Sequence, residues 1–83
     1  MVKYALLSVE DGEIFTPELF DTCEEAHAEM CKQVAEVMGL TVEEVQKCYK
    51  EDVMIDDYSY VKEYYAYVDK RTQCGWRIFE LDI

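Results

Sequence analysis

The single histidine, His27, stands four residues from Cys23 and four from Cys31. On a helix the three side chains share a face, and an imidazole within reach of a thiol is the minimum that nucleophilic thiol chemistry requires. The same positions fall on or beside an apolar stripe, where a packed or boundary histidine beside structural thiols is the simpler reading. Cys23, Cys31, Cys48 and Cys74 contain no Cys-x-x-Cys pair. Zinc ligation would need an unusual set of ligands, and no metal or other cofactor is expected. Asp52, Asp56 and Asp57 bring oxygen ligands together, but the alternating register, glycine and distant glutamate of an EF-hand calcium loop are missing. With no nucleophile–base pair of any specificity, the chain is expected to bind rather than to catalyse.

What the chain does offer is charge. Nineteen acidic residues against eight basic ones give a formal net charge of −11. The densest clusters are Glu10, Asp11 and Glu13, and then Asp52, Asp56 and Asp57. A compact chain of this length is roughly 30 Å across, so −11 amounts to about one charge per 3 Å, close to the spacing of ~3.4 Å along one nucleic-acid strand. If the acids gather on one side, the surface matches a phosphate strand; the ordinary alternative is that they keep the protein in solution. Direct binding of nucleic acid or of anionic lipid is disfavoured. Mutual repulsion among Asp52, Asp56 and Asp57 is expected to raise their pKa values, whereas roles as turn caps would lower them.

Tyr58, Tyr60, Tyr64, Tyr65 and Tyr67 lie within ten positions and cannot all enter one sheet face, because side chains alternate along a strand. Some must be exposed, either as contact residues or as good strand residues with wet hydroxyl tips. The candidate partner surface is therefore Glu10, Asp11, Glu13, Asp52, Asp56, Asp57, Tyr58, Tyr60 and Glu63.

The elements that must position these residues read as one domain over residues 1–83, since a chain this long supports one core. Lys3 to Val9 reads as a covered strand. Asp11-Gly12 is a hairpin turn leading to a short strand at Ile14-Phe15, limited by Pro17. Asp21 or Thr22 caps a helix whose stripe of Cys23, Ala26, Met30, Val34, Val37 and Met38 ends at Gly39. Thr41 and Glu44 form a capping box for a second helix with Val42, Val45, Cys48 and Tyr49 on its stripe. Residues 53–60 give no clear pattern. Tyr64 to Asp69 and Trp76 to Asp82 read as strands around a basic loop, Lys70 to Gly75. The order is β-β-α-α-β-β, an α+β fold with an antiparallel sheet of three to four strands and two helices packed on one face.

No apolar run is long enough to span a bilayer. Met1 to Ser8 lacks the pattern of a secretory leader, so a cytoplasmic location with reduced thiols is expected. The run from Phe15 to His27, together with Gly75-Trp76-Arg77-Ile78-Phe79, resembles small acidic proteins carried by phages and conjugative elements of Firmicutes. That resemblance implies the class of inhibitors of host defence nucleases, anti-CRISPR proteins included, and assigns no functional residue. The sequence thus predicts an acidic, DNA-mimicking inhibitor that occupies a basic, nucleic-acid-binding groove. The alternative is a self-associating module that forms a homodimer through its tyrosine-rich strand or an open sheet edge.

Overall fold

The computed structural model describes residues 1–83. Two helices lie on one face of a six-stranded antiparallel sheet, so the α+β class holds while the sheet is larger than three to four strands. The strands are β1 (Val2–Glu10), β2 (Glu13–Ile14), β3 (Glu18–Phe20), β4 (Tyr60–Val61), β5 (Tyr65–Asp69) and β6 (Gln73–Asp82). The helices are α1 (Cys23–Met38) and α2 (Val42–Glu51).

Asp11 and Gly12 both take positive φ, 49° and 83°, as a two-residue hairpin turn requires. The added strands come from residues the sequence reading left outside the sheet. After β2 the Phe15 N–H still donates to Ser8 O at 3.0 Å, and the chain leaves the ladder at Thr16–Pro17, where Pro17 needs no donor. It then returns to the same edge of β1 as β3, pairing Ala5 with Leu19 and Tyr4 with Phe20. The two-residue β4 is pinned by Ser59, whose Oγ accepts the Asp69 N–H at 3.3 Å. The second hairpin loop is shorter than expected, residues 70–72, because Gln73, Cys74 and Gly75 already pair with Asp69, Val68 and Tyr67.

The capping box of Thr41 with Glu44 forms, Thr22 rather than Asp21 caps α1 and makes a second box with Glu25, and Gly39 closes α1 at φ 71°. The buried side of α1 is Ala26, Met30, Cys31, Val34, Ala35 and Met38. Val37, expected on that stripe, is exposed, since the contact with the sheet turns through Cys31 and Ala35 instead. These residues meet Leu6, Ala66, Val68, Cys74, Trp76 and Ile78 from the sheet and Val45 from α2 in one core cluster. No helix is long and apolar enough to cross a membrane.

Candidate functional site: an uncovered sheet face

Alternation along each strand divides the sheet into two faces. Leu6, Ala66, Val68, Cys74, Trp76 and Ile78 point to the helices and are buried. Their neighbours point the other way, and both helices lie on the first side. The cross-strand register gathers Leu19, Ala5, Phe79, then Leu7, Arg77, Tyr65, then Val9, Gly75, Tyr67, Tyr60, on the uncovered face. Ile14 and Leu81 extend it. Ile14 is 64% exposed, Leu19 57%, Phe79 43% and Tyr65 42%. Large apolar groups singly exposed are ordinary; here they form a contiguous set across five strands.

Gly75 gives this face its relief. A side chain there would meet nothing within 4 Å, so its place is a shallow hollow of about 280 Å³ walled by Leu7, Val9, Tyr60, Tyr65 and Tyr67. Tyr60 stands 6.0 Å from both Tyr65 and Tyr67, edge-on to the first, an arrangement that holds the rings as a stiff rim. The face carries few charges. Lys3 is bound to Asp21, Asp69 lies at the end of β5, and Arg77 stacks its guanidinium over Phe79 at 5.8 Å with no ion-pair partner in the chain.

The expected acidic residues are distributed differently. Glu10, Asp11 and Glu13 sit at the β1–β2 turn, and Asp56 and Asp57 precede β4. Across the strand order the two groups are three to four strand spacings, or roughly 14–19 Å, apart. Lys70 and Arg71 lie between them at the β5–β6 turn, so the two clusters do not merge into one acidic strip. Asp11 is tied into the fold: its N–H donates to Gln73 O at 2.8 Å and its carboxylate accepts the Gln73 N–H at 3.0 Å.

Asp52 and Asp56 correct the expectation of raised pKa values. The hydrogen bond and charge of Lys62, 2.8 Å away, hold Asp52 below the usual carboxylate range. Donation from the Tyr58 backbone N–H does the same for Asp56. Each finds a donor before it feels another acid. Tyr58 is exposed at 68%. Tyr60 is half-buried on the uncovered face, and Glu63 is exposed beyond β4. The helix layer carries further exposed acids, among them Glu24, Glu25, Glu36, Glu43, Glu44 and Glu51.

The His27 group is packed. Its Nδ1 lies 3.0 Å from Glu63 O and its Nε2 3.4 Å from Cys31 Sγ, and its ring lies 4.3 Å from that of Tyr49. A carbonyl oxygen only accepts, so Nδ1 is the donor to Glu63 O. Burial pushes Cys31 up to about 11, and desolvation raises Cys23 as well. An attacking thiolate needs the opposite shift.

Sequence reasoning missed Leu7, Val9, Leu19, Gly75, Arg77, Phe79 and Leu81 as surface residues. The signal was present: β1 and β6 are apolar at both parities, while the chain supplies helices for one face only. In comparisons with known proteins, no family model, no curated protein and no solved structure matches the chain.

Proposed function

We propose that the protein is a binding module that works through the uncovered face of its sheet, with the acidic helix layer turned outward to keep that layer free of contacts. The observation that supports it is the continuity of Leu19, Phe79, Leu7, Tyr65 and Tyr67 across neighbouring strands. Burying such a face contributes about 25 cal/mol per Å² of apolar surface. On so acidic a protein, association through a face with few charges costs little desolvation. Photo-crosslinking inside the source cell tests it, with p-benzoylphenylalanine placed at Tyr65 or Phe79 and, as the contrast, at Glu25 on α1. Adducts are expected from the sheet positions. Adducts from Glu25 alone, or none from the sheet, overturn the reading.

A second reading keeps the acidic surface as the functional one, docking against a basic nucleic-acid-binding groove as a phosphate mimic. The exposed glutamates along α1 and α2 favour it over the turn clusters. Its signature is affinity for a basic partner that falls steeply with salt. Salt-independent binding counts against it.

A further inference from the structure

We infer that the occupant of the sheet face is a second copy of this chain, in a two-fold dimer with the sheets packed face to face; the inference rests on the sheet-face reading above. Three features lead to a copy rather than to an unlike partner.

The first is charge. Two chains of −11 repel wherever acids face acids, so self-association requires the surface poorest in them. Face-to-face packing stacks helix, sheet, sheet and helix at about 10 Å per step. The two acidic helix layers then lie roughly 30 Å apart, about three Debye lengths at 0.1 M salt. Contact through helices or through the β1–β2 turn brings the acids together instead.

The second is size. The molecule is flat, 38 × 28 × 16 Å, and its broad side, of which the uncovered sheet is the centre, has an outline of up to roughly 1,000 Å², against the ~800 Å² per partner of a standard interface.

The third is self-complementarity. An isologous interface pairs residue i with residue j twice. Arg77 and Asp69 are opposite charges on the uncovered face, they are set one above the other across β6 and β5 by the pairs Tyr65–Arg77 and Asp69–Gln73, and neither is used in an internal ion pair. A two-fold axis over the Gly75–Tyr67 pair, midway between them, sets each Arg77 against the other copy's Asp69. Both charges are then neutralised, and the tyrosine rims close over the two hollows.

Sedimentation equilibrium of the whole chain tests this. Twice the chain mass of 9.8 kDa is expected at concentrations of roughly 100 µM, within the reach of an interface of this size. Arg77→Asp and Asp69→Arg are each expected to weaken the dimer at least about tenfold, and the double variant Arg77→Asp/Asp69→Arg to restore it. Phe79→Lys is expected to leave a monomer. These side chains lie off the core, and Trp76 emission reports that each variant is folded. A single-chain mass throughout, or a dimer indifferent to Phe79→Lys and to the charge swap, overturns the proposal. The sheet-face reading fails separately: a probe at Tyr65 that captures an unlike protein removes only the second copy, and one that captures nothing removes both.

Discussion

The carboxylate of Asp56 accepts the backbone N–H of Tyr58 at 3.0 Å, closing the turn that delivers Ser59 and β4 to the edge of the sheet. The same turn is held by Ser59 O, which accepts from Ile55 N–H at 2.8 Å. Asp56→Ala is expected to destabilise the fold by about 1 kcal/mol, as loss of a side-chain cap does, and to lower the melting temperature by roughly 4–8 °C. Asp56→Asn, which keeps an acceptor, should cost less. The Asp56 pKa is lowered in the fold, so its contribution is present above the ordinary value of 3.8 and is lost as pH falls through the lower folded value. Thermal melts should therefore show the gap between wild type and Asp56→Ala at neutral pH and its narrowing below pH 4.

Cys31 provides the opposite slope. Its thiol ionises at 9.0 when solvated and at about 11 in the fold, so above 9.0 the folded state holds a proton that the unfolded chain releases. That contribution is present below 9.0 and is lost as pH rises toward about 11. Cys31→Ala is expected to flatten the fall in stability across this window, although Cys23, also raised, keeps part of it. In the native protein Cys23 and Cys48, both half-buried, should react with Ellman's reagent before Cys31 and Cys74 do. Rapid labelling of Cys31 without unfolding would restore thiol chemistry as a function.

Local rules made the helices legible. The Thr-x-x-Glu box at Thr41 and the stop at Gly39 act within a few residues and stand where the sequence places them, and of the two caps open to α1, Asp21 and Thr22, it is Thr22 that closes a box, with Glu25. The short strands were not legible because β3 and β4 owe their conformation to partners elsewhere, β3 to Tyr4, Ala5 and Leu6, and β4 to Ala66 and Tyr67. A two-residue strand has no period of its own to read. The same limit governs the site. Charge clusters drew attention to Asp52, Asp56 and Asp57 because composition is visible in one dimension. The uncovered face is made by register, which puts Leu19 beside Ala5 and Phe79 only after the chain has folded.

Gln33 is the polar hub between α1 and the sheet. Its Oε1 accepts the Trp76 indole N–H at 2.9 Å, and its Nε2 donates to Glu18 and to Glu29, each at 2.9 Å. Trp76 is 6% exposed, so its N–H has no ready access to water. Gln33→Met should cost about 1–3 kcal/mol, the penalty of an orphaned buried donor, and shift the emission of the only tryptophan to the red. Gln33→Glu keeps an acceptor for the indole but adds a third carboxylate, so its loss at neutral pH should be recovered in part as the acids protonate. Equal melting temperatures for wild type and Gln33→Met would remove the hub from the account of stability.

The C-terminal end of α1 has no basic residue in its last turn, although the helix dipole leaves negative charge there. The cation comes from another element: Lys70, in the β5–β6 turn, approaches Met38 O with its Nζ at 3.5 Å. Met38 O is one of the carbonyls that a helix end leaves without an internal partner. In a chain of net charge −11, losing any lysine or arginine also increases self-repulsion, and the two effects have to be separated. Arg71→Gln makes the same change in net charge one residue away without the bond to Met38. Lys70→Gln should therefore lower the melting temperature more than Arg71→Gln at low salt, by the equivalent of about 0.3–1 kcal/mol. Added salt screens the exposed dipole term within a Debye length of ~10 Å at 0.1 M, so the two variants should converge as salt rises. Equal losses at every salt concentration would mean that only total charge counts, and that Lys70 does not complete the helix.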